Sequence, residues 1–177
     1  MCLLFFWLFN IIQGFNSLVF FSESVYTKYF TLSKTLLCFG VNPSTACPEC
    51  IDNTIKKVMN ISRHNGYENW IMLNVYPQRA TDPNDMHIER DENLVQTNLC
   101  HIRDISQRYP NCDVLLAYGN LITKRKYLKP CLNEILSLLN GEQRRNVKVI
   151  KLTRSNNPVH PLYQSKTSVL KDYVYIR

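Results

Sequence analysis

Three stretches of the chain gather side chains able to do chemistry. Gly40-Val41-Asn42-Pro43-Ser44-Thr45 holds an amide and two hydroxyls, Asn74-Val75-Tyr76-Pro77-Gln78-Arg79 an amide, a phenol and a guanidinium, and Pro158-Val159-His160-Pro161-Leu162 an imidazole. A side-chain amide both donates and accepts hydrogen bonds, and an imidazole exchanges a proton near neutral pH. Hydroxyls and loop N–H groups suit phosphate oxygens. The C-x-x-C pair Cys47-Pro48-Glu49-Cys50 has no second pair or His-rich partner, so neither a metal nor a cofactor is expected. The seven cysteines are odd in number and irregularly spaced, which argues against a disulfide framework and for free thiols in a cytoplasmic protein.

Each stretch lies where a buried strand would end. Residues 35–41, 70–76, 113–119 and 147–152 are short apolar runs, the mark of buried parallel strands, and 25–32 suits an edge strand. Helices are expected between them. The first runs from Asp52 to about His64, with Ile55, Val58, Met59 and Ser62 at helical spacing and Asp52 or Asn53 as its cap. The second covers 92–109, with Leu94, Leu99, Ile102 and Ile105 on one side, and the third covers 129–139. Strands alternating with helices predict an α/β fold, a three-layer α/β/α sandwich around a central, mainly parallel four-stranded sheet. In such sheets ligands sit beyond the carboxyl ends of the strands, where the three stretches fall.

Length suits one domain over residues 1–177, with the motif-bearing core at 34–163 and an apolar segment at 1–24 packed on it. Residues 1–21 lack the basic start and cleavage site of a signal peptide, and Asn10, Gln13, Gly14, Asn16 and Ser17 interrupt them, so no spanning helix is expected. A packing role suits this segment best, with a partner-binding or membrane-surface helix as the other option. A net charge of +7 tilts the expected partners toward polyanions. Lys124-Arg125-Lys126 and Arg144-Arg145 are expected as solvated faces, and His64, His87 and His101 as surface or packing residues.

Gly40 to Ala46, Asp52-Asn53-Thr54-Ile55, Asn74 to Pro83 and Pro158 to Leu162 occur in this order, and together they resemble the bacterial and phage family catalogued as domain of unknown function 1643 over roughly residues 29–163. The same motifs are similar to those of the uracil-DNA glycosylase superfamily. Gly40-Val41-Asn42-Pro43 looks like the loop ending its first strand, closest to the mismatch-specific branch, Leu73-Asn74-Val75 like its base-reading element, and Val159-His160-Pro161-Leu162 like its late His-Pro loop. The resemblance implies a uracil-DNA-glycosylase-like fold and a pocket for a flipped-out base. It implies Asn42 and His160 as catalytic residues, Asn74, Tyr76 and Pro43 as base-binding residues, and Ser44, Thr45, Arg79 and Pro161 as contacts to phosphate and DNA. His160 would stabilise charge on the departing base.

One departure matters. Asn42 stands where the strongest uracil enzymes carry Asp, and loss of a carboxylate beside a cationic sugar costs on the order of 10²–10⁴ in rate. Asp52 or Asp82 is left as a substitute. The His-Pro loop continues as Leu162-Tyr163 in place of the usual small residue and Ser. The function expected is that of a pseudo-glycosylase with little or no uracil excision, which binds single- or double-stranded DNA, a nucleobase, or an acidic DNA-mimic protein that inhibits glycosylases. An active glycosylase for a modified or mismatched base is the alternative. A third option is an interaction module whose pocket is filled by Tyr76 or Tyr163.

Overall fold

Four apolar runs form the centre of the sheet, because residues with no polar side chains to solvate are cheapest when covered on both faces. The computed structural model describes residues 20–21, 34–43 and 52–175. The predicted strand at 25–32, most of the apolar N-terminal segment, Ser44, Thr45 and the C-x-x-C pair lie outside them. The described strands are β1 (Phe20–Phe21), β2 (Thr35–Gly40), β3 (Asn69–Asn74), β4 (Asp113–Leu116), β5 (Val147–Val149) and β6 (Lys171–Asp172). They lie in the order β1-β3-β2-β4-β5-β6. β3, β2, β4 and β5 run parallel, and the two edge strands pair antiparallel. The fold is therefore α/β with a mostly parallel sheet flanked by helices. Among the described residues the sheet has six strands, not the four expected. The difference lies at the edges, each a two-residue pairing. Exposed Lys171 and Asp172 carry no apolar pattern that could announce a strand.

Alternation along the strands divides the core in two, since successive side chains point to opposite faces. Leu37, Phe39, Ile71, Leu73, Val114 and Leu116 pack beneath α2 (Glu92–Arg108) and α3 (Leu128–Leu138). Leu36, Cys38, Trp70, Met72, Leu115 and Ala117 pack beneath α1 (Asn53–His64). Asp52 caps α1 by accepting from Ile55 N at 2.8 Å, and Asp91 caps α2 by accepting from Leu94 N at 3.1 Å. Each relieves one of the orphan N–H groups of a helix start. The short α4 (Gly141–Arg145) is set by a capping box between Asn140 and Gln143. Among the described residues, Cys38, Cys100, Cys112 and Cys131 are free thiols, and burial pushes Cys38 and Cys112 up to about 12.

The long loop from Pro77 to Asp91 is not loose. Gln78 bonds Asp85 O and His87 N, and Arg125 donates to the carbonyls of Asn84, Met86 and His87. The middle of the basic run 124–126 is thus a half-buried fastener rather than a solvated face, and Lys124 bonds Asn84 Oδ1 at 2.5 Å. The Tyr76 hydroxyl sits 2.8 Å from His87 Nδ1 and accepts from Asp91 N, which ties the end of β3 to the start of α2.

Candidate functional site

Every central strand delivers its chain to the same end of the sheet, and a cavity of about 480 Å³ opens there. That volume lies within the range of small-molecule sites, about 300–1,000 Å³. The loop after β2 contributes Val41, Asn42 and Pro43. Asn74 ends β3, and Ala80, Thr81 and Pro83 follow it. Tyr118, Gly119 and Asn120 come after β4, and His160, Leu162 and Tyr163 from the late loop. Asp52 and Ile55, from the start of α1, complete the wall.

Asn42 is spoken for. Its amide nitrogen donates to Pro43 O at 3.0 Å, within its own loop, and to Ala80 O at 2.8 Å, which fastens the loop after β2 to the loop after β3, so both amide hydrogens are committed. What remains for a ligand is its oxygen, an acceptor. Asn74 differs. It is only 8% exposed, and its backbone oxygen accepts from Asn98 Nδ2 at 3.0 Å, but its side-chain amide has no partner among the described residues. Asn74 lines the cavity, so its donor and acceptor are suited to a bound molecule there. Gly40 lets β2 run close beside it, since a Cβ there would come 2.7 Å from Met72 Cε and 3.1 Å from Asn74 Oδ1.

His160 is set by its own turn. Its Nδ1 accepts from Leu162 N at 3.3 Å, and a ring nitrogen that accepts carries no proton. The neutral ring therefore holds its hydrogen on Nε2, as a donor. Burial moves the His160 pKa below the ordinary histidine value, while the charge of Asp52 pulls the other way. Beneath it lies Gly119, at φ +60°, where a Cβ would meet the His160 Cβ at 3.1 Å. Gly119 N donates to Pro158 O at 2.8 Å, and Asn120 Oδ1 accepts from both Thr153 Oγ1 and Asn157 Nδ2, so the late loop is hung from the end of β4.

Of the residues singled out in the sequence, Asn42, Pro43, Asn74 and His160 meet around this cavity. Tyr76 is fully buried below the loop that follows β3, Pro161 is buried, and Arg79 is exposed; none of the three lines the cavity. Ser44 and Thr45 lie outside the described residues. Neither tyrosine considered as a plug closes the cavity, since Tyr76 is elsewhere and Tyr163 is 82% exposed at its rim. Sequence reasoning missed Thr81, Tyr118 and Asn120, and left Asp52 undecided against Asp82. Asp52 lines the cavity; Asp82 caps a short turn through Asn84 N. The rule that ligands lie beyond strand ends would have found Tyr118 to Asn120 had it been applied to the third predicted strand. Among the described residues, no group of His, Cys, Asp and Glu could hold a metal, and no helix is long and apolar enough to cross a membrane.

Fold and site together define an α/β protein with a small-molecule-sized cavity at the carboxyl ends of a mostly parallel sheet. The chain belongs to the family described as Protein of unknown function (DUF1643), whose model matches residues 28–162. No curated protein and no solved structure matches it.

Proposed function

We propose that the cavity receives a nucleobase and that the protein is a uracil-DNA-glycosylase-like binder of DNA, with little or no excision of ordinary uracil. The observation that carries this is the meeting of Asn42, Asn74 and His160 around one cavity. The unpartnered Asn74 amide matches a pyrimidine edge, which also presents a donor beside an acceptor. The neutral His160 is a hydrogen-bond donor for a ring carbonyl. The net charge of +7 favours a polyanion or an acidic protein that imitates one. The commitment of both Asn42 amide hydrogens to backbone carbonyls supports weak uracil chemistry, because the residue brings neither negative charge nor a free donor to the site.

The test is a single-turnover assay on uracil-containing single- and double-stranded DNA, paired with binding measured on the same oligonucleotides. Binding without cleavage, weakened by Asn74→Ala, is the expected result. Clear uracil excision that Asn42→Ala abolishes would refute it. Pull-down with an acidic DNA-mimic inhibitor protein separates a DNA binder from a binder of that inhibitor.

The second reading is an active glycosylase for a modified or mismatched base. One observation favours it: the Asp52 carboxylate lines the same cavity as His160. Abasic sites produced from a panel of modified-base oligonucleotides would support this, and silence across the panel at high protein concentration would end it.

A further inference from the structure

We infer that Asp52 is the working carboxylate of the cavity, placed to face the sugar of a bound deoxynucleotide and to favour positive charge there. This rests on the nucleobase reading of the cavity and adds to it a residue and a ligand chemistry. Asp52 is the acidic side chain among the described residues that line the cavity. It is half-buried, and one of its oxygens is held at the start of α1 by Ile55 N at 2.8 Å. That bond fixes the carboxylate, and its other oxygen has no partner among the described residues. The second, independent sign of a ligand is Asn74, buried to more than nine-tenths, with its amide unpartnered on the same cavity.

The position first expected to carry the negative charge is closed to it. A carboxylate at 42 would lie against the oxygens of Pro43 and Ala80, to which Asn42 now donates. The other candidate, Asp82, is occupied outside the cavity. Asp113 lies at the start of β4, the opposite end of the sheet, and takes a 2.5 Å bond from the Tyr67 hydroxyl. The charge of Asp52 also reaches His160, against the effect of burial, so the two groups share one electrostatic environment. Their roles are complementary: a negative acceptor and a neutral donor.

In a hydrolysis the division of labour would be this. A water oxygen bonds to the sugar C1′ while the C1′–N bond breaks, and the electron pair of that bond leaves with the base. His160 donates a hydrogen bond to the base oxygen on which charge collects. Asp52 orients the water, stabilises the cationic sugar, and accepts the proton the water loses.

The test uses the full chain and two synthetic oligonucleotides that differ at one residue. One carries a cationic pyrrolidine in place of the sugar at the site, the other a neutral tetrahydrofuran. Wild type should bind the cationic probe at least about tenfold tighter, since a group that favours a transition-state charge favours its mimic. Asp52→Asn and Asp52→Ser, both competent helix caps, should bring the ratio near one while melting close to wild type. Equal affinity of wild type for the two probes, or a preference that survives both substitutions, would overturn the inference for Asp52 alone. Failure of wild type to bind either probe, together with indifference of DNA binding to Asn74→Ala, would remove the nucleobase reading and the inference with it.

Discussion

Among the described residues, the two faces of the sheet carry apolar clusters of different size. Beneath α2 and α3 lies a large apolar cluster in which strand residues such as Phe39 and Leu116 meet Ile102, Leu128, Leu132 and Ile135. Beneath α1 the described cluster is smaller; Ile55 and Met72 from it line the cavity, and Val41, Ala80 and Tyr118 from the larger cluster line it too. Among the described residues, α2 and α3 cover the first face and α1 covers the second. The cavity opens at the carboxyl ends of the strands, where the two clusters meet the loops. Substitutions deep in the first cluster, away from Val41, Ala80 and Tyr118, should move the melting temperature and leave ligand affinity intact, and those at the cavity should do the reverse.

The largest effect is expected from Ile102→Ala on the first face, at a fully buried position. It should cost about 2–5 kcal/mol, read as a fall in melting temperature on the order of 10 °C, with DNA affinity unchanged at temperatures where the protein is folded. A comparable loss of affinity would show that the faces are not separable. Next comes Asn42→Asp, which leaves two carbonyls without donors and places charge against them. Chemical denaturation should show a loss of about 1–3 kcal/mol, and no gain in uracil excision should accompany it. A rise in excision would mean that the loop can reorganise to admit a carboxylate.

Asn74→Ala is the counterpart on the cavity side. It should weaken binding of base-containing DNA by about tenfold, equivalent to about 1.4 kcal/mol, and leave the melting temperature near wild type. The smallest effect concerns acid. Because the folded His160 resists protonation, the unfolded chain binds more protons below its own pKa of about 6.5, so stability is full above that value and falls as pH drops toward the folded pKa. Denaturation at pH 7.5 and 5.5 should show a drop that His160→Asn reduces. Asp52→Asn should move the His160 NMR titration to still lower pH, since it removes the charge that opposes burial. An unchanged titration would separate the two groups electrically.

The sequence announced some parts of this arrangement and concealed others for physical reasons. Continuous apolar runs such as Leu36-Leu37-Cys38-Phe39 and the spacing of Ile55, Val58, Met59 and Ser62 declare buried strands and an amphipathic helix, because those signals are local. The cap was readable to within one residue, Asp52 or Asn53, for the same reason, and the structure places it at Asp52. β6 was not, since a two-residue exposed pairing is decided by its neighbour Val147–Val149 and not by its own residues. The strand ends were overrun at Val75, Tyr76 and Ala117, which stay bonded to β2 and the loop after it through Gly40 O, Val41 O and Phe39 O but no longer count as sheet. The site followed the same rule. Residues at predicted strand ends were found, whereas which of Asp52 and Asp82 faces the cavity depends on contacts between segments far apart in the chain. So does the role of Arg125, whose three carbonyl partners lie about forty positions away.

A last consequence follows from Gly119. The wall that carries His160 rests directly on a residue without a side chain, at a backbone angle that L-amino acids seldom adopt. The missing methyl group is what lets the two segments meet. Any larger residue would both strain the turn and lift the imidazole off its seat, so the position of the hydrogen-bond donor is held from two sides, by the turn at Leu162 and by the chain leaving β4.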